Sequence, residues 1–246
     1  MSGRDGSFVR LLEADPDLGE ALTPEARERA TEMLQVRVAT IAPGPWTPPS
    51  VGPAAIGLLV LDGLMVRRVH VGRSSSTELI GPTDMLRPGD NQVVPPVLPT
   101  VSDWRILKQT RLAVLDGGVT AAIGRWPELN VAICARLLRR SRSLAYLMAA
   151  QNFTRVTDRL LAALWHVASM WGRVTPQGTI VPFRLTHEML GEIIGARRPT
   201  TTQAVIALEQ QGQLLRDDRR RFILLGRPPS WNAETPAGGV AVASAG

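Results

Sequence analysis

Residues 185–212 have the pattern of two short helices joined by a tight turn, and this pattern constrains the fold more than any other feature of the chain. Thr186 stands where a helix N-cap belongs, because its hydroxyl can accept a hydrogen bond from a backbone N–H one turn further on. Gly195 can end the first helix in the left-handed conformation, and Pro199 suits the first turn of the second helix. Gly212 is placed to close that second helix.

Each of the two helices has apolar residues at spacings of three and four, which predict one buried face per helix. These residues are Met189, Leu190, Ile193, Ala204, Val205 and Leu208. Arginines and hydroxyl side chains cluster at the start of the second helix. Such an arrangement is typical of a helix-turn-helix whose second helix enters the major groove of DNA.

The segment that follows Gly212 predicts a β-hairpin, since apolar residues 214–215 and 222–225 flank the charged residues 217–221. Together with this hairpin, the helices resemble the winged helix-turn-helix of the Crp/Fnr family of transcription regulators. The pattern that carries the resemblance is Leu-Thr-His-Glu-x-Leu-x-x-x-x-Gly-x-Arg-Arg-Pro-Thr, beginning at Leu185. In that family the hairpin is the wing.

The resemblance implies an α+β fold with an N-terminal cyclic-nucleotide-binding-like β-roll, a long dimerisation helix and a C-terminal winged helix-turn-helix. It also implies a homodimer that binds double-stranded DNA, with RNA polymerase as a further partner. We therefore expect a sensor domain, a dimerisation helix with a hinge and a DNA-binding domain, and the composition of the last residues, rich in Ala, Gly and Pro, predicts a disordered tail. Their bounds are residues 1–124, 125–153, 154–227 and 228–246.

The first turns of the predicted recognition helix, about residues 198–211, offer side chains that can read base edges. Arginine can bond guanine O6 and N7, glutamine can pair with adenine, and threonine methyls can meet thymine methyls. The threonines have a second interpretation, as phosphate contacts or helix caps, and arginines on the wing suit phosphates better than bases. The predicted DNA-binding residues are Thr186, Arg197, Arg198, Thr200, Thr201, Thr202, Gln203, Arg219 and Arg220.

The reading face departs from the best-known family members, which carry an arginine, then a glutamate, and a second arginine four residues after the glutamate. Aligned on Gly195, this chain keeps the first arginine as Arg198 but has Pro199 and Gln203 at the other two positions. We therefore expect an operator that differs from the best-known one.

The charge distribution supports a nucleic-acid partner. The net charge is +6, and residues 155–227 carry 11 basic and 6 acidic side chains, whereas residues 1–124 carry 12 and 14. The positive excess thus collects beside the helix-turn-helix, where phosphate binding requires it.

No catalytic or metal-binding motif is present in the sequence, so we predict no enzymatic activity. Its three histidines are scattered, and the single cysteine, Cys134, is incompatible with an intramolecular disulfide or a cysteine-ligated iron–sulfur cluster. The N-terminus has no apolar signal core and no segment is long and apolar enough for a membrane span, so we expect a cytoplasmic, nucleoid-associated protein.

The β-type part of the chain, residues 34–115, alternates short apolar runs with glycine and proline turns, which suggests a β-sandwich or jelly roll. Asp62-Gly63 between two such runs predicts a hairpin turn. A long helix then covers residues 127–150, and its apolar stripe can pack on its own β-roll, on a partner subunit, or on both.

The ligand pocket implied by the resemblance lacks its charged residues. Cyclic-nucleotide-binding members have Gly-Glu, for the ribose, and Arg-Ser or Arg-Thr, for the phosphate. Here Gly81 is followed by Pro82, and Ser102 is preceded by Val101. Burying an anion without a positive partner costs a large free energy of desolvation, so we predict no tight cyclic-AMP binding and assign no cofactor.

Three alternatives stay open for the pocket: another small ligand, no ligand, or a cyclic nucleotide held differently, with Arg87 or Arg105 supplying the charge. Haem bound through His70 or His166 is a weaker interpretation than a structural role for these histidines. The residues predicted to meet a ligand are Gly81, Thr83, Ser102 and Ser143. A second functional hypothesis is a ligand-sensing or protein-binding module whose winged helix contacts a protein.

Overall fold

The computed structural model describes residues 7–88 and 100–230. Its N-terminal strands are β1 (Ser7–Arg10), β2 (Gln35–Ile41), β3 (Gly44–Pro45), β4 (Gly57–Val71), β5 (Ser74–Ile80), β6 (Met85–Leu86) and β7 (Thr100–Leu115). They form an antiparallel sheet with the order β1-β2-β7-β4-β5, in which β3 pairs with β7 and β6 with β4. The short helices beside it are α1 (Leu11–Ala14), a 3-10 turn (Pro16–Gly19), α2 (Pro24–Met33) and α3 (Gly117–Ile123).

The C-terminal half is mostly helical and contains a second, smaller sheet. Its elements are α4 (Pro127–Ala150), α5 (Val156–Trp171), β8 (Arg173–Thr175), β9 (Gly178–Ile180), α6 (His187–Ile194), α7 (Arg198–Gln210), β10 (Leu214–Arg216) and β11 (Phe222–Leu224). The small sheet has the order β10-β11-β9-β8. The expected order of sheet, long helix and winged helix-turn-helix is therefore confirmed. Residues 231–246 of the predicted disordered tail lie outside the described part of the chain.

The hairpin predicted at Asp62-Gly63 is wrong, because β4 continues through both residues to Val71. The pairing of β4 with β7 instead shifts register around them. Gly63 has a φ of 110°, and a Cβ there would lie 2.3 Å from the Thr110 Oγ1. A bulge therefore replaces the turn, since the long β7 can pair with the strand on both sides of it.

The C-terminal helices pack on the N-terminal sheet. Leu64 and Val66 of β4 belong to the same buried apolar cluster as the inner faces of α5, α6 and α7. The contact also has a polar part: Glu192 of α6 accepts hydrogen bonds from Arg68 Nε at 2.9 Å and from Thr77 Oγ1 at 2.6 Å. Apolar burial and these two bonds together fix the helix-turn-helix on the β4–β5 part of the sheet.

Candidate nucleic-acid interface

The two helices of the helix-turn-helix form as their local signals predict. The Thr186 Oγ1 accepts a hydrogen bond from the Met189 N–H at 3.2 Å and caps α6. Gly195 ends α6 with a φ of 65°, a left-handed conformation that glycine adopts without a Cβ clash. Pro199 lies in the first turn of α7, and Gly212 follows its end with a φ of 66°.

The outer face of α7 is exposed along its first turns. Arg198, Pro199, Thr200 and Gln203 are exposed, and with the half-buried Thr202 they border one shallow surface depression. Arg197, just before the helix, is also exposed. The opposite face holds the scaffold, since Val205 and Leu208 are at most 1% exposed. A rigid helix thus presents one arginine and one glutamine on a surface that a DNA groove can reach.

Thr201 does not belong to that outer face, and its assignment as a DNA contact is corrected. Its side chain is fully buried, and its hydroxyl donates to the Arg197 carbonyl oxygen at 3.2 Å. It also packs on α6, where a Cβ on Gly191 would come 3.0 Å from the Thr201 Oγ1. The helical period explains the position, since residue 201 shares its face with residues 204, 205 and 208.

The wing is the hairpin of β10 and β11, and its tip is closed by Asp217. The Asp217 carbonyl oxygen accepts from the Arg220 N–H at 2.8 Å, while its carboxylate accepts from Arg221 N and Nε, each at 2.7 Å. The bonds to the carboxylate, the one from the Arg221 backbone first, lower the pKa of the Asp217 carboxyl. Arg221 is therefore engaged within the wing, whereas Arg219 and Arg220 are exposed at its tip.

His187 and Arg216 connect the wing to α7, and neither was predicted as a site residue. The His187 Nε2 lies 3.0 Å from the Arg216 Nη2, and its Nδ1 lies 2.9 Å from the Thr202 Oγ1. Arg216 also pairs with Glu209 of α7 at 2.8 Å. These partners are 15 and 29 residues from His187, so no local sequence pattern could indicate them.

The contact between the N-terminal sheet and α4 contains an anionic side chain among arginines. Glu78 of β5, whose side chain is 10% exposed, accepts from Arg140 Nε at 2.7 Å and from Arg140 Nη2 at 3.0 Å. It also lies 3.0 Å from the Arg67 Nη2. One carboxylate thus pairs with two guanidinium groups at the junction of β4, β5 and α4, and it occupies the donors that an external anion would need.

The structure does not bring the four predicted ligand residues into one site. Gly81 packs under the Trp171 ring, where a Cβ would come within 2.7 Å of Cε2, and Thr83 accepts from Arg139 Nη2 at 2.8 Å. Ser143 is hydrogen-bonded to the His166 Nε2. Ser102 lies elsewhere, exposed on β7 opposite Val69, so its assignment to a shared pocket is corrected.

A small cavity of about 30 Å³ lies between β5, α4, α5 and α6, and it is large enough to hold water. Ser143 lines it, together with the Glu78–Arg140 pair and His166. Burial lowers the pKa of His166, whose ring stacks on Tyr146 at 4.8 Å. Burial also raises the pKa of the nearby Asp84 carboxyl. The groups around the cavity are therefore already paired with one another or shifted by burial toward their neutral forms.

Two of the remaining residues suggested for ligand or haem binding, Arg87 and His70, have partners of their own, and the third, Arg105, is exposed. Arg87 donates to the Pro53 and Ala55 carbonyl oxygens, Arg105 is exposed on β7, and His70 lies 2.6 Å from Asp103 Oδ2. Within residues 7–88 and 100–230, no group of three or more His, Cys, Asp or Glu side chains is placed to hold a metal ion. Among the same residues, no helix has the length and apolar character of a membrane span.

Comparison with known proteins agrees with this geometry. Residues 155–228 match the family of the Crp-like helix-turn-helix domain. The chain is 27% identical over 163 residues to the CRP-like cAMP-activated global transcriptional regulator of Mycobacterium tuberculosis strain H37Rv, covering 63% of this chain and 71% of that protein.

Two solved structures share the fold at low sequence identity. A cyclic nucleotide-binding domain containing protein from Listeria monocytogenes superposes with a TM-score of 0.64 at 13% identity, over 85% of this chain and 96% of that one. FixK2 from Bradyrhizobium japonicum superposes with a TM-score of 0.59 at 14% identity, over 78% and 93%.

Proposed function

We propose that this chain is a transcription regulator of the Crp/Fnr family and that it binds an inverted-repeat operator as a homodimer with α7 in the major groove. The family is one of DNA-binding regulators and not a class of enzymes. The observation that carries the proposal is the exposed first part of α7, with Arg198 and Gln203 on a face backed by a buried scaffold. Two such helices in a symmetric dimer read half-sites about one helical turn apart.

A dimer surface is available on α4. Residues at alternating spacings of three and four are all exposed along one side of this helix, and they are Val131, Cys134, Leu138, Ser141, Ala145 and Met148. Such a 3-4 repeat is the seam of a two-stranded coiled coil. The other side of α4, with Leu129 and Ile133, is buried in the chain's own core. The helix therefore supports packing on its own sheet and on a second copy.

The single cysteine provides a direct test of this seam. In a parallel pair of α4 helices, Cys134 faces its counterpart, so mild oxidation should yield a disulfide-linked dimer on a non-reducing gel. Leu138→Asp should shift the protein toward monomer in sedimentation. Val174→Asp is the matched control, because Val174 is 82% exposed on β8 and lies outside the seam. A monomeric wild type at micromolar concentration would refute the homodimer.

Base reading by α7 is tested with a DNA sequence selected by the protein from a random library. Arg198→Ala should weaken binding to that sequence by about 1–3 kcal/mol and relax preference at one base position. Arg219→Ala should weaken selected and random DNA alike and reduce the salt dependence, as a phosphate contact does. Unchanged binding by Arg198→Ala would favour the alternative function, a winged helix that contacts a protein.

We further propose that the chain does not respond to cyclic AMP in the usual way, in contrast to the mycobacterial relative that is named as cAMP-activated. The support is that Arg140 and Arg67 are both already paired with Glu78. Millimolar cyclic AMP should leave the thermal midpoint unchanged. A ligand at about 100 times its Kd stabilises a protein by about 2.7 kcal/mol, so a rise of several degrees would overturn this proposal.

RNA polymerase contact and nucleoid association belong to the same proposal. Chromatin immunoprecipitation should recover the protein at discrete operator-like sites, and polymerase should co-purify with it on promoter DNA. Recovery of all genomic regions equally would contradict an operator-specific regulator.

A further inference from the structure

We propose that His187 is a positioning residue that fixes the wing relative to the recognition helix for DNA binding, and that it does so only as a neutral ring. The inference rests on the proposed function, since it concerns how α7 and the wing act on DNA together. His187 is the first residue of α6, and its half-buried ring contacts both α7 and β10.

The direction of every hydrogen bond in this contact follows from one guanidinium group. Arg216 can only donate, so the His187 Nε2 must be the bare nitrogen that accepts from Nη2 at 3.0 Å. The Nδ1 then carries the proton and donates to the Thr202 Oγ1 at 2.9 Å. The Thr202 hydroxyl in turn donates to the Arg198 carbonyl oxygen at 3.0 Å. A directed chain thus connects the wing to the first residue of the recognition helix.

Arg216 fixes the wing end of this chain. Its Nε pairs with Glu209 Oε1 at 2.8 Å, and its guanidinium carbon lies 5.4 Å from the centre of the Phe222 ring on β11. The wing is therefore tied to the early part of α7 through His187 and to its later part through Glu209. Loss of His187 removes the first tie and leaves Arg216 anchored at one end only.

Protonation of the ring would break the arrangement, because Nε2–H would then point a second donor at the Arg216 guanidinium. The charged groups that face the ring are Arg216 from β10 and Arg198 and Glu209 from α7. Burial first, and then Arg216 and Arg198, lower the pKa of His187, while Glu209 opposes them. The neutral ring is thus the state that this surrounding favours.

The direction in which DNA affinity changes with pH distinguishes a positioning role of His187 from direct phosphate binding. A histidine that binds phosphate gains affinity for DNA when it becomes charged. A positioning ring that becomes charged can no longer accept the hydrogen bond from Arg216, so the wing loses its alignment with α7. Because non-specific binding rises for any protein that gains positive charge, the quantity to measure is the ratio of affinities for selected and random duplexes of equal length.

The test uses the full-length protein, the DNA sequence it selects from a random library, and titrations from about pH 8 to about pH 5.5. For the wild type we expect the ratio to fall as the pH drops below the ordinary histidine range. His187→Gln, whose amide can both donate and accept at every pH, should keep the ratio and remove its pH dependence. His70→Gln is the matched control and should follow the wild type, because His70 pairs with Asp103 on the sensor sheet.

Two further variants complete the test. His187→Arg should lower the ratio by about fivefold or more, although an arginine side chain can bind phosphate. His187→Ala and Thr202→Val should be non-additive in a double-mutant cycle, since both break the same chain of bonds. A flat wild-type ratio, a gain in His187→Arg, or additive effects would each overturn the positioning role. Failure of the protein to select any sequence would instead refute the proposed function.

Discussion

Glu78 offers the sharpest test of how the N-terminal sheet and α4 are held together. Glu78→Gln keeps the shape of the side chain but leaves the Arg140 and Arg67 guanidinium groups without their shared anion. The wild-type carboxylate makes two bonds to Arg140 and one ion pair to Arg67, at 2.7, 3.0 and 3.0 Å. Removing one partner of a buried ion pair costs about 3–5 kcal/mol.

The lower end of that range applies, because the Arg140 and Arg67 side chains remain 17% and 32% exposed and water screens part of the charge. We therefore expect a loss of about 3 kcal/mol in the free energy of unfolding. For a chain of this length the loss corresponds to a fall of roughly 6–12 °C in the thermal midpoint. Denaturant titration and calorimetry on the full-length protein measure both quantities.

The matched control is Asp62→Asn, which breaks the Lys108–Asp62 pair on the same sheet. Those side chains are 57% and 54% exposed, so the change should be below about 1 kcal/mol. Glu78→Ala should also create an anion site, so sulfate or phosphate should stabilise this variant more than the wild type. Equal losses for Glu78→Gln and Asp62→Asn, or equal anion effects on variant and wild type, would refute the reasoning.

Three further predictions concern other parts of the structure. Gly191→Ala should lower the free energy of unfolding by about 1–3 kcal/mol, because the new Cβ would lie 2.6 Å from the Ala196 carbonyl oxygen. Gly195→Ala has open space around the new Cβ, so it should lose only the roughly 1–2 kcal/mol that a left-handed backbone costs an alanine. Thermal melts of both variants measure the difference. Glu192→Gln should increase hydrogen exchange in α6 and β5, and unchanged exchange would show that the apolar contact alone holds them. The pKa of His166 lies below its ordinary value of 6.5, so the folded state should lose stability as the pH falls through that value, and His166→Gln should flatten the dependence in pH-resolved melts.

Local sequence patterns predicted the helix-turn-helix well because its signals act within one turn of the chain. Thr186, Gly195 and Pro199 each occupy the predicted cap, end or first turn. Thr201 was assigned to the wrong face, because the hydroxyl side chains at the start of α7 look alike in sequence. The angle around the helix axis, set by which residues meet α6, decides which of them are exposed.

The same limit explains Asp62-Gly63 and Ser102. A dipeptide that is typical of a hairpin turn becomes a bulge when the partner strand pairs on both of its sides, and only the sheet shows this. Ser102 was placed by alignment to a family pattern, yet it lies on an exposed stretch of β7 away from Gly81, Thr83 and Ser143.

The amino-acid sequence by itself determined the family that the chain resembles, the order of its elements, the basic C-terminal half and the lack of the usual charged residues of a nucleotide pocket. These features depend on local propensity and composition, which act along the chain. Only the tertiary structure decided which groups act together, namely Glu78 with Arg140, and His187 with Arg216. Ion pairs and hydrogen bonds form across distances of about 3 Å in space between residues that can be far apart in sequence, so no spacing along the chain indicates them.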